Sequence, residues 1–496
     1  MKNKKSFFQI LFTSVFILVF SSSCEDALVE DPRTFLSQET VFSSKAGAVS
    51  ATLGIYEPFR ENNLYGWWLL GNLEFWSDYI FGRGSQANAS LYQLASRGIG
   101  RVGNIWRGGY SVINRANIVI QQLNEKDIPG IDATLKTELL AEARFLRAFS
   151  YFHLVRLFGD CPIRTEPELD IAQLAISRSP EAEVYNTILA DLNFAEANLP
   201  NVGYNDGRAT RWSASGLLSI VYLTRSQWNE AAAKAKEIMD SGLFSLVEVQ
   251  VPEDFQKIFG PDVVTHSEEI FSLKHARIQG LEFEPLWLMH RSGSGYSLGG
   301  NAFAWYGNPD SWLGDWMAEI GGPDLRTTDW MYNGPDDEQF LSAEIPMLFK
   351  KFRDTESDLP GNDFPIVRYT EILLIYAEAT SQANGGPTPD AYEAANMVRR
   401  RAYGLPLDMP STETDLATGL SAAEFQDEIL LERAKEFVME GKRWYDLLRT
   451  GKTLEVIQAA GPLKAAIQEK HLKWPIPSEE IDNNEGMTQT DQNPGW

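Results

Sequence analysis

The sequence predicts a mainly α protein, a scaffold of helical hairpins interrupted by long irregular insertions. Three observations predict it. In several stretches apolar residues recur at steps of three and four, the mark of a helix with one buried face. Glycine and proline fall at the ends of those stretches. Two further regions, about 62–103 and 247–363, keep no helical period and gather glycines and aromatic residues instead.

The 496 residues suffice for a sizeable core. A net charge of −24 argues against nucleic acid and anionic lipid surfaces as partners, and makes a neutral ligand more natural than a polyanion. There are five His and no HExxH, CxxC or EF-hand loop, so neither a metal enzyme nor any cofactor is expected. The two cysteines, Cys24 and Cys161, build no disulfide framework, and Cys161 in FGDCPI is expected to be a lone turn-side or core thiol.

At the N-terminus, Lys2, Lys4 and Lys5 precede an apolar run from Phe7 to Phe20, then Ser21-Ser22-Ser23-Cys24. The run is too short to span a membrane and suits a signal peptide over 1–23. Cys24 after small residues resembles the acylated cysteine of a bacterial lipoprotein, although Ser21 stands where such signals carry Leu. The alternative is an ordinary secretory signal cleaved elsewhere. Residues 24–496 are expected to form one domain.

Leu139, Ala143, Leu146, Phe149, Phe152 and Val155 mark a helix from Leu135 to Phe158, ended by Gly159. Pro180 opens the next, to Leu199. Ser213–Arg225 and Trp228–Ser241 follow, joined by a short turn, and Trp228 before AAAKAKEIM suits the second helix of a tetratricopeptide-like hairpin. Tyr369–Gln382 and Pro389–Arg401 pair across ANGGPTP. About four such hairpins are expected, each burying the apolar face of the next. From Phe425 to Gly451, Leu430, Ala434, Phe437, Gly441, Trp444 and Leu448 stripe what reads as one long helix capped by Gly451. Between them lie Glu432, Arg433, Glu436, Glu440, Arg443, Asp446 and Arg449, whose spacing alone suits a solvated, ion-paired face.

That last stretch resembles the C-terminal signature helix of the SusD/RagB family of outer-membrane glycan-capture lipoproteins. The likeness extends, in order, through IWRGGYSVINRANIVIQQL, LLAEARFLRAFSYFHLVRLFGDCPI, ASGLLSIVYLTRSQWNEAAAKAKEIMDSG, FPIVRYTEILLIYAEATSQANG and the closing HLKWPIPSEEIDNNEGMTQTDQNPGW. Trp496 stands where the family more often has Tyr. The resemblance implies a tetratricopeptide-like scaffold, no catalysis and anchorage to the outer membrane at the cell surface. It further implies a role as lid on a SusC-like TonB-dependent transporter. It also marks Asp324 and Arg326 as a structural pair and Trp474 and Trp496 as packing positions.

Ligand chemistry is expected in the two irregular regions. A pyranose offers an apolar C–H face and a hydroxyl rim, which flat aromatic rings and polar side chains answer respectively. Five of the 14 tryptophans lie between 283 and 333. The aromatic candidates are Trp67, Trp68, Trp76, Trp287, Tyr296, Trp305, Tyr306 and Trp312, with one of Trp312 and Trp316 expected to face the core. Asn72, Asp78, Arg83 and Arg291 are candidates for hydroxyl contacts. Trp106, Trp212, Trp228 and Trp444 have core spacing. The expected cargo is a neutral polysaccharide or oligosaccharide such as a glucan. The alternatives are a peptide or glycopeptide and, remotely, an all-helical glycoside hydrolase, which would need a pair of carboxylates about 5–9 Å apart.

Overall fold

The computed structural model of the protein describes residues 38–93, 96–167, 175–202, 207–299, 304–318, 322–332 and 336–496, with backbone alone for 96–99. The expected signal peptide and acylated Cys24 lie outside the described residues. The long helices are α1 (Lys45–Leu53), α2 (Trp68–Phe75), α3 (Ser96–Glu125), α4 (Ala133–Phe158), α5 (Glu181–Asn198), α6 (Arg211–Thr224) and α7 (Trp228–Asp240). After the second insertion come α8 (Tyr369–Asn384), α9 (Pro389–Ala402), α10 (Ala422–Glu436) and α11 (Arg443–Arg449). From α3 to α8 each packs on the next, α7 meets α8 across the whole insertion, and α8 packs on both α9 and α10. This is the tetratricopeptide-like stack that the sequence predicts. Among the described residues no helix is long and apolar enough to cross a membrane.

Local chemistry sets the ends of these helices. The Asp132 side chain accepts from the Leu135 N–H at 2.8 Å to start α4, and Gly159, at φ +75°, stops it. Thr388 caps α9 ahead of Pro389, and Ser421 with Glu424 forms a capping box on α10. Where helices approach closely the sequence supplies glycine. A Cβ on Gly216 of α6 would stand 2.9 Å from a Val367 methyl.

Among the described residues there are two small antiparallel sheets. β2 (Glu269–Leu273) pairs with β4 (Phe364–Arg368) and lies against α6. β1 (Ile80–Gly82) pairs with β3 (Trp305–Gly307), Ile80 opposite Gly307 and Gly82 opposite Trp305. The second ladder ties the two insertions together. One continuous hydrophobic core fills the molecule, and Tyr332, Ile345 and Leu348 form a small satellite under the second insertion. Cys161 is a buried free thiol, as expected.

The region 425–451 departs from the sequence reading in two ways. It is not one helix: α10 ends at Glu436, Met439 and Gly441 take φ +63° and +70°, and α11 restarts at Arg443. The carbonyls freed by the break are used, those of Glu436 and Val438 accepting from Lys351 Nζ at 2.8 and 3.2 Å. Nor are its charges solvated. Arg401 donates to Glu268 at 2.6 Å and to Glu436 at 2.5 Å, and Arg368 reaches Glu436, Glu440 and Glu268 at 2.8–3.2 Å. Arg326 grips Asp324 at 2.8 Å, Glu432 at 2.7 Å and Glu436 at 3.0 Å. The expected Asp324–Arg326 pair is therefore one edge of a buried ionic network.

Removing one member of such a network strands the opposite charges in a dry interior. Burial raises the Glu436 pKa, but Arg401, Arg368 and Arg326 more than reverse this and hold it well below the usual carboxylate range. Its folded value is depressed, so its stabilisation is complete above the unfolded value near 4.5 and is lost as pH falls below it. Glu436→Gln is expected to cost about 3–5 kcal/mol in urea unfolding at pH 7. It is also expected to flatten the loss of stability between pH 4.5 and pH 2.

Lys464 presents the opposite case. It is fully buried, donates to the Phe75 carbonyl at 2.6 Å and lies 4.9 Å from the Phe81 ring, and burial pushes its pKa down to about 7. Its charge costs stability below pH 7, and that cost is relieved as pH rises toward the unfolded value of 10.5. Lys464→Met is expected to stabilise by about 2–4 kcal/mol at pH 6, after losing one hydrogen bond. The gain should shrink toward pH 10, as read by urea titrations at both pH values.

Candidate functional site

Trp67 and Trp68 open α2, their rings 5.4 Å apart and tilted by 54°. Both are partly exposed. The Arg101 guanidinium of α3 lies 4.4 Å over the Trp68 ring and donates to the carbonyl and hydroxyl of Ser85 at 2.6 and 2.8 Å. Ser85 belongs to the turn after β1 that carries the exposed Arg83. The Arg83 N–H extends the β1–β3 contact by donating to the Ala304 carbonyl at 2.7 Å. Within the ladder the Phe81 and Tyr306 rings face each other at 5.5 Å. Burial raises the Tyr306 pKa, and the Arg83 charge opposes it.

Tyr306, Tyr296 and Phe340 pack on the satellite cluster of Tyr332, Ile345 and Leu348. The Tyr296 hydroxyl donates to Asp337 at 2.8 Å, and Lys350 completes the set at 3.1 Å from Asp337. Burial first, then Asp337, raises the Tyr296 pKa, so its hydroxyl stays protonated. His290 beneath is fully buried between the Tyr332 hydroxyl and the Phe352 carbonyl, each 2.8 Å away, and burial lowers its pKa to about 4. It is a neutral strut. Arg291 donates to the Phe340 carbonyl. Trp287 sits on the short helix Leu286–Met289, where the Leu288 carbonyl accepts from the Ala304 N–H at 2.8 Å.

A chain of contacts thus joins the neighbourhoods of Trp67, Trp68, Arg83, Trp287, Arg291, Tyr296 and Tyr306, all of them exposed or partly exposed. Each of these residues leaves part of an aromatic ring or a guanidinium group open to solvent. Such groups can stack a flat apolar ligand face and donate hydrogen bonds around it.

Four candidates are corrected. Trp76 is fully buried between Tyr92, Trp444 and Trp474. Asn72 is buried and spends its amide on the Trp68 carbonyl one turn back. Asp78 is buried in a two-point ion pair with Arg443. Trp305 is fully buried, edge-on to Phe75, with its indole N–H on Gln86 at 2.9 Å. The common cause is that much of region 62–103 is not a surface loop. α2 and β1 pack into the core, and α3 already begins at Ser96. Trp312 is partly exposed but leans on Tyr79 and Trp316, which makes it a packing residue first. Trp316 faces the core, bonded to Asp324 at 3.0 Å.

Sequence reasoning missed Arg101, which joins Trp68 to the Arg83 turn, and the Asp337–Lys350 pair that orients Tyr296. No spacing marks either. It also missed two clefts. One of about 500 Å³ runs beside Trp212, Phe244, Ile270 and Lys274. Another of about 410 Å³ separates Asn62 and Asn63 from Gly280–Glu284, and Glu57, Glu61, Glu282 and Glu284 line it without any aromatic ring. Among the described residues no group of three or more His, Cys, Asp or Glu could hold a metal ion.

Comparison with known proteins defines the class. Residues 328–496 match the profile described as SusD family, and residues 55–223 match one described as starch-binding associating with outer membrane. The chain belongs to the SusD/RagB family. It is 25% identical to SusD-like protein P25 of Formosa agariphila, over 97% of this chain and 98% of that one. It is 30% identical to the starch-binding protein SusD of Bacteroides thetaiotaomicron, over only 27% of this chain and 22% of that one. Among solved structures, a SusD homolog from Bacteroides thetaiotaomicron shares the fold with a TM-score of 0.79 at 24% identity, covering 94% of this chain and 99% of its own. A laminarin-binding SusD-like protein does so with 0.72 at 24% identity, covering 92% and 100%.

Packing aromatics and surface aromatics should part in a simple measurement. Trp305→Ala is expected to cost about 3–5 kcal/mol of stability through the cavity it leaves. Trp287→Ala should change stability by less than about 1 kcal/mol. Urea titration of the two variants checks both.

Proposed function

We propose that the protein captures a neutral oligosaccharide or polysaccharide on the surface carrying Trp67, Trp68, Arg83, Trp287, Arg291, Tyr296 and Tyr306, and that it does not cleave its ligand. The β1–β3 ladder supports this reading, because it joins the two insertions and brings the partly exposed Tyr306 to the strand that leads into the exposed Arg83. The names of relatives, a starch-binding protein and a laminarin-binding protein, support the same cargo class. In this reading the chain is held at the outer membrane by a lipid on Cys24. There it acts as a lid that passes glycan to a SusC-like TonB-dependent transporter.

Stacking about 80 Å² of apolar surface per sugar ring is worth roughly 2 kcal/mol at ~25 cal/mol/Å². Three rings give about 6 kcal/mol before ordering costs, which corresponds to affinities of about 40 μM at the tightest, weakening toward about 1 mM as ordering costs are charged. Such binding suits capture followed by release. A hydrolase would need its acid pair beside the stacked sugar. Here the carboxylates of Glu57, Glu61, Glu282 and Glu284 share a cleft that has no aromatic wall, which favours binding over hydrolysis.

Affinity gel electrophoresis against a polysaccharide panel that includes starch and laminarin, with reducing-sugar release assayed in parallel, tests the proposal. Retardation by a neutral glucan without sugar release is expected. Trp68→Ala, Trp287→Ala and Tyr306→Ala should each weaken retention about three- to thirtyfold. Sugar release would overturn the non-catalytic reading, and retention of peptides with no glycan retained would overturn the cargo.

A further inference from the structure

A cavity of about 40 Å³ lies within the helical scaffold. It is bounded by His153 and Arg156 of α4, Pro365 and Ile366 of β4, Glu371 of α8, and the segment where α10 passes into α11. It has room for a few waters or one small ion. Arg156, Ile220 and Lys442, each partly exposed, stand along its wall.

Its walls hold more donors than acceptors. Arg433 is buried and donates to Asp446 at 2.8 Å and Glu371 at 3.0 Å, but its Nη1 is buried with no acceptor. Guanidinium nitrogens cannot accept or shed their protons, so that vacancy can be met only by an acceptor from outside the protein. Among the described residues Arg156 has no carboxylate partner. It donates to the Phe152 carbonyl at 2.9 Å and to His153 Nδ1 at 3.3 Å, and it lies 3.5 Å over the Tyr445 ring.

The bond from Arg156 sets the His153 tautomer. Nδ1 faces Arg156 at 3.3 Å and the Tyr445 hydroxyl at 2.9 Å; because a guanidinium can only donate, Nδ1 accepts from both, and in the neutral ring the proton sits on Nε2, which donates to the Tyr65 hydroxyl at 3.0 Å. The Tyr65 hydroxyl proton is then left over, at a residue that lines the cavity. The nearby carboxylates are already engaged. Glu371 is held by Arg433 and Lys442, Asp446 by Arg433 and Arg449, and Glu440 by Lys351 and Arg368. Glu378 pairs with Arg449. Among the described residues, counting Arg156, Arg433, Lys442 and Arg449 against Glu371, Glu378 and Asp446, with Glu440 neutralised elsewhere, leaves one positive charge uncompensated.

We propose that this cavity binds one small oxyanion, of carboxylate or sulfate size, through Arg156, Arg433 Nη1 and the Tyr65 hydroxyl. The anion supplies the missing charge and acceptors, and it bridges α4 to the α10–α11 junction. The proposal does not rest on the glycan reading.

Calorimetric titration of the full chain with sodium sulfate and with sodium acetate, at fixed ionic strength, tests it. Saturable uptake of one equivalent of either anion is expected, and the tighter of the two identifies the ligand geometry. Arg433 anchors neighbouring carboxylates and is left intact. Arg156→Gln, at a partly exposed position, should weaken uptake about tenfold by deleting a charge-assisted contact. Tyr65→Phe should weaken it about threefold by deleting a neutral one. Crystals soaked in selenate should show an anomalous peak in the cavity. No saturable uptake, equal uptake by the Arg156→Gln variant, or a cavity without that peak would each overturn the proposal and leave a water-filled void.

Discussion

The structure depends on a dry interior in which opposite charges must find each other. Arg326, Lys351, Arg368, Arg399 and Arg401 meet Asp324, Glu268, Glu432, Glu436 and Glu440, five against five, nearly all without access to water. Each of these ions would be costly to bury alone. Together they can be buried only in one arrangement, because a guanidinium offers fixed directions and every carboxylate oxygen is spoken for. The members come from the second insertion, β4, α9, α10 and the α10–α11 break, so the network clamps the most irregular part of the chain to its most regular part.

From there the constraint passes to the aromatic surface. Lys351 holds the carbonyls of the α10–α11 break, and the break in turn holds α2. The Gly441 N–H donates to Glu74 at 2.7 Å, and the Met439 N–H donates to the Tyr79 hydroxyl at 2.9 Å, which itself donates to Glu74. Glu74 ends up in so apolar a setting that burial raises its pKa to about 7, with Tyr79 and Gly441 opposing. Four residues after Glu74 lies Asp78, locked to Arg443, and then β1. Tyr306 of β3 therefore pairs with a strand that follows directly on Asp78, whose place is fixed by its ion pair with Arg443.

The helical stack was legible because helix periodicity survives in a single sequence. Predicted and observed ends agree within two residues at Leu135–Phe158, Ser213–Arg225 and Pro389–Arg401. The α10–α11 break was not legible, since the apolar stripe continues through Phe437 and Gly441 while the backbone turns away to meet Lys351. The buried ions misled for a related reason. Glu432, Glu436 and Glu440 have the spacing of a solvated face, and only partners far away in the chain reveal that the face is covered. Glycine-rich composition marked the second insertion as irregular, and only short elements occur around Trp287, Tyr296 and Tyr306. It failed at Trp76 and Trp305, because a tryptophan in a core and one on a surface have the same neighbours in sequence.

The β1–β3 ladder also bears on the order of assembly. Trp305 bonds to Gln86 from 219 residues away, so closing this contact requires a very long loop to form first. Contacts of such high order form late, after local helical hairpins have condensed. The residues of the first insertion must wait, with their aromatic side chains unmatched, until most of the chain has been synthesised. An early α3–α4 hairpin gives them something to wait on. A chain cut short before β3 would therefore lack the ladder and α8–α11 alike, and β1 would have neither its partner strand nor the helices that hold it.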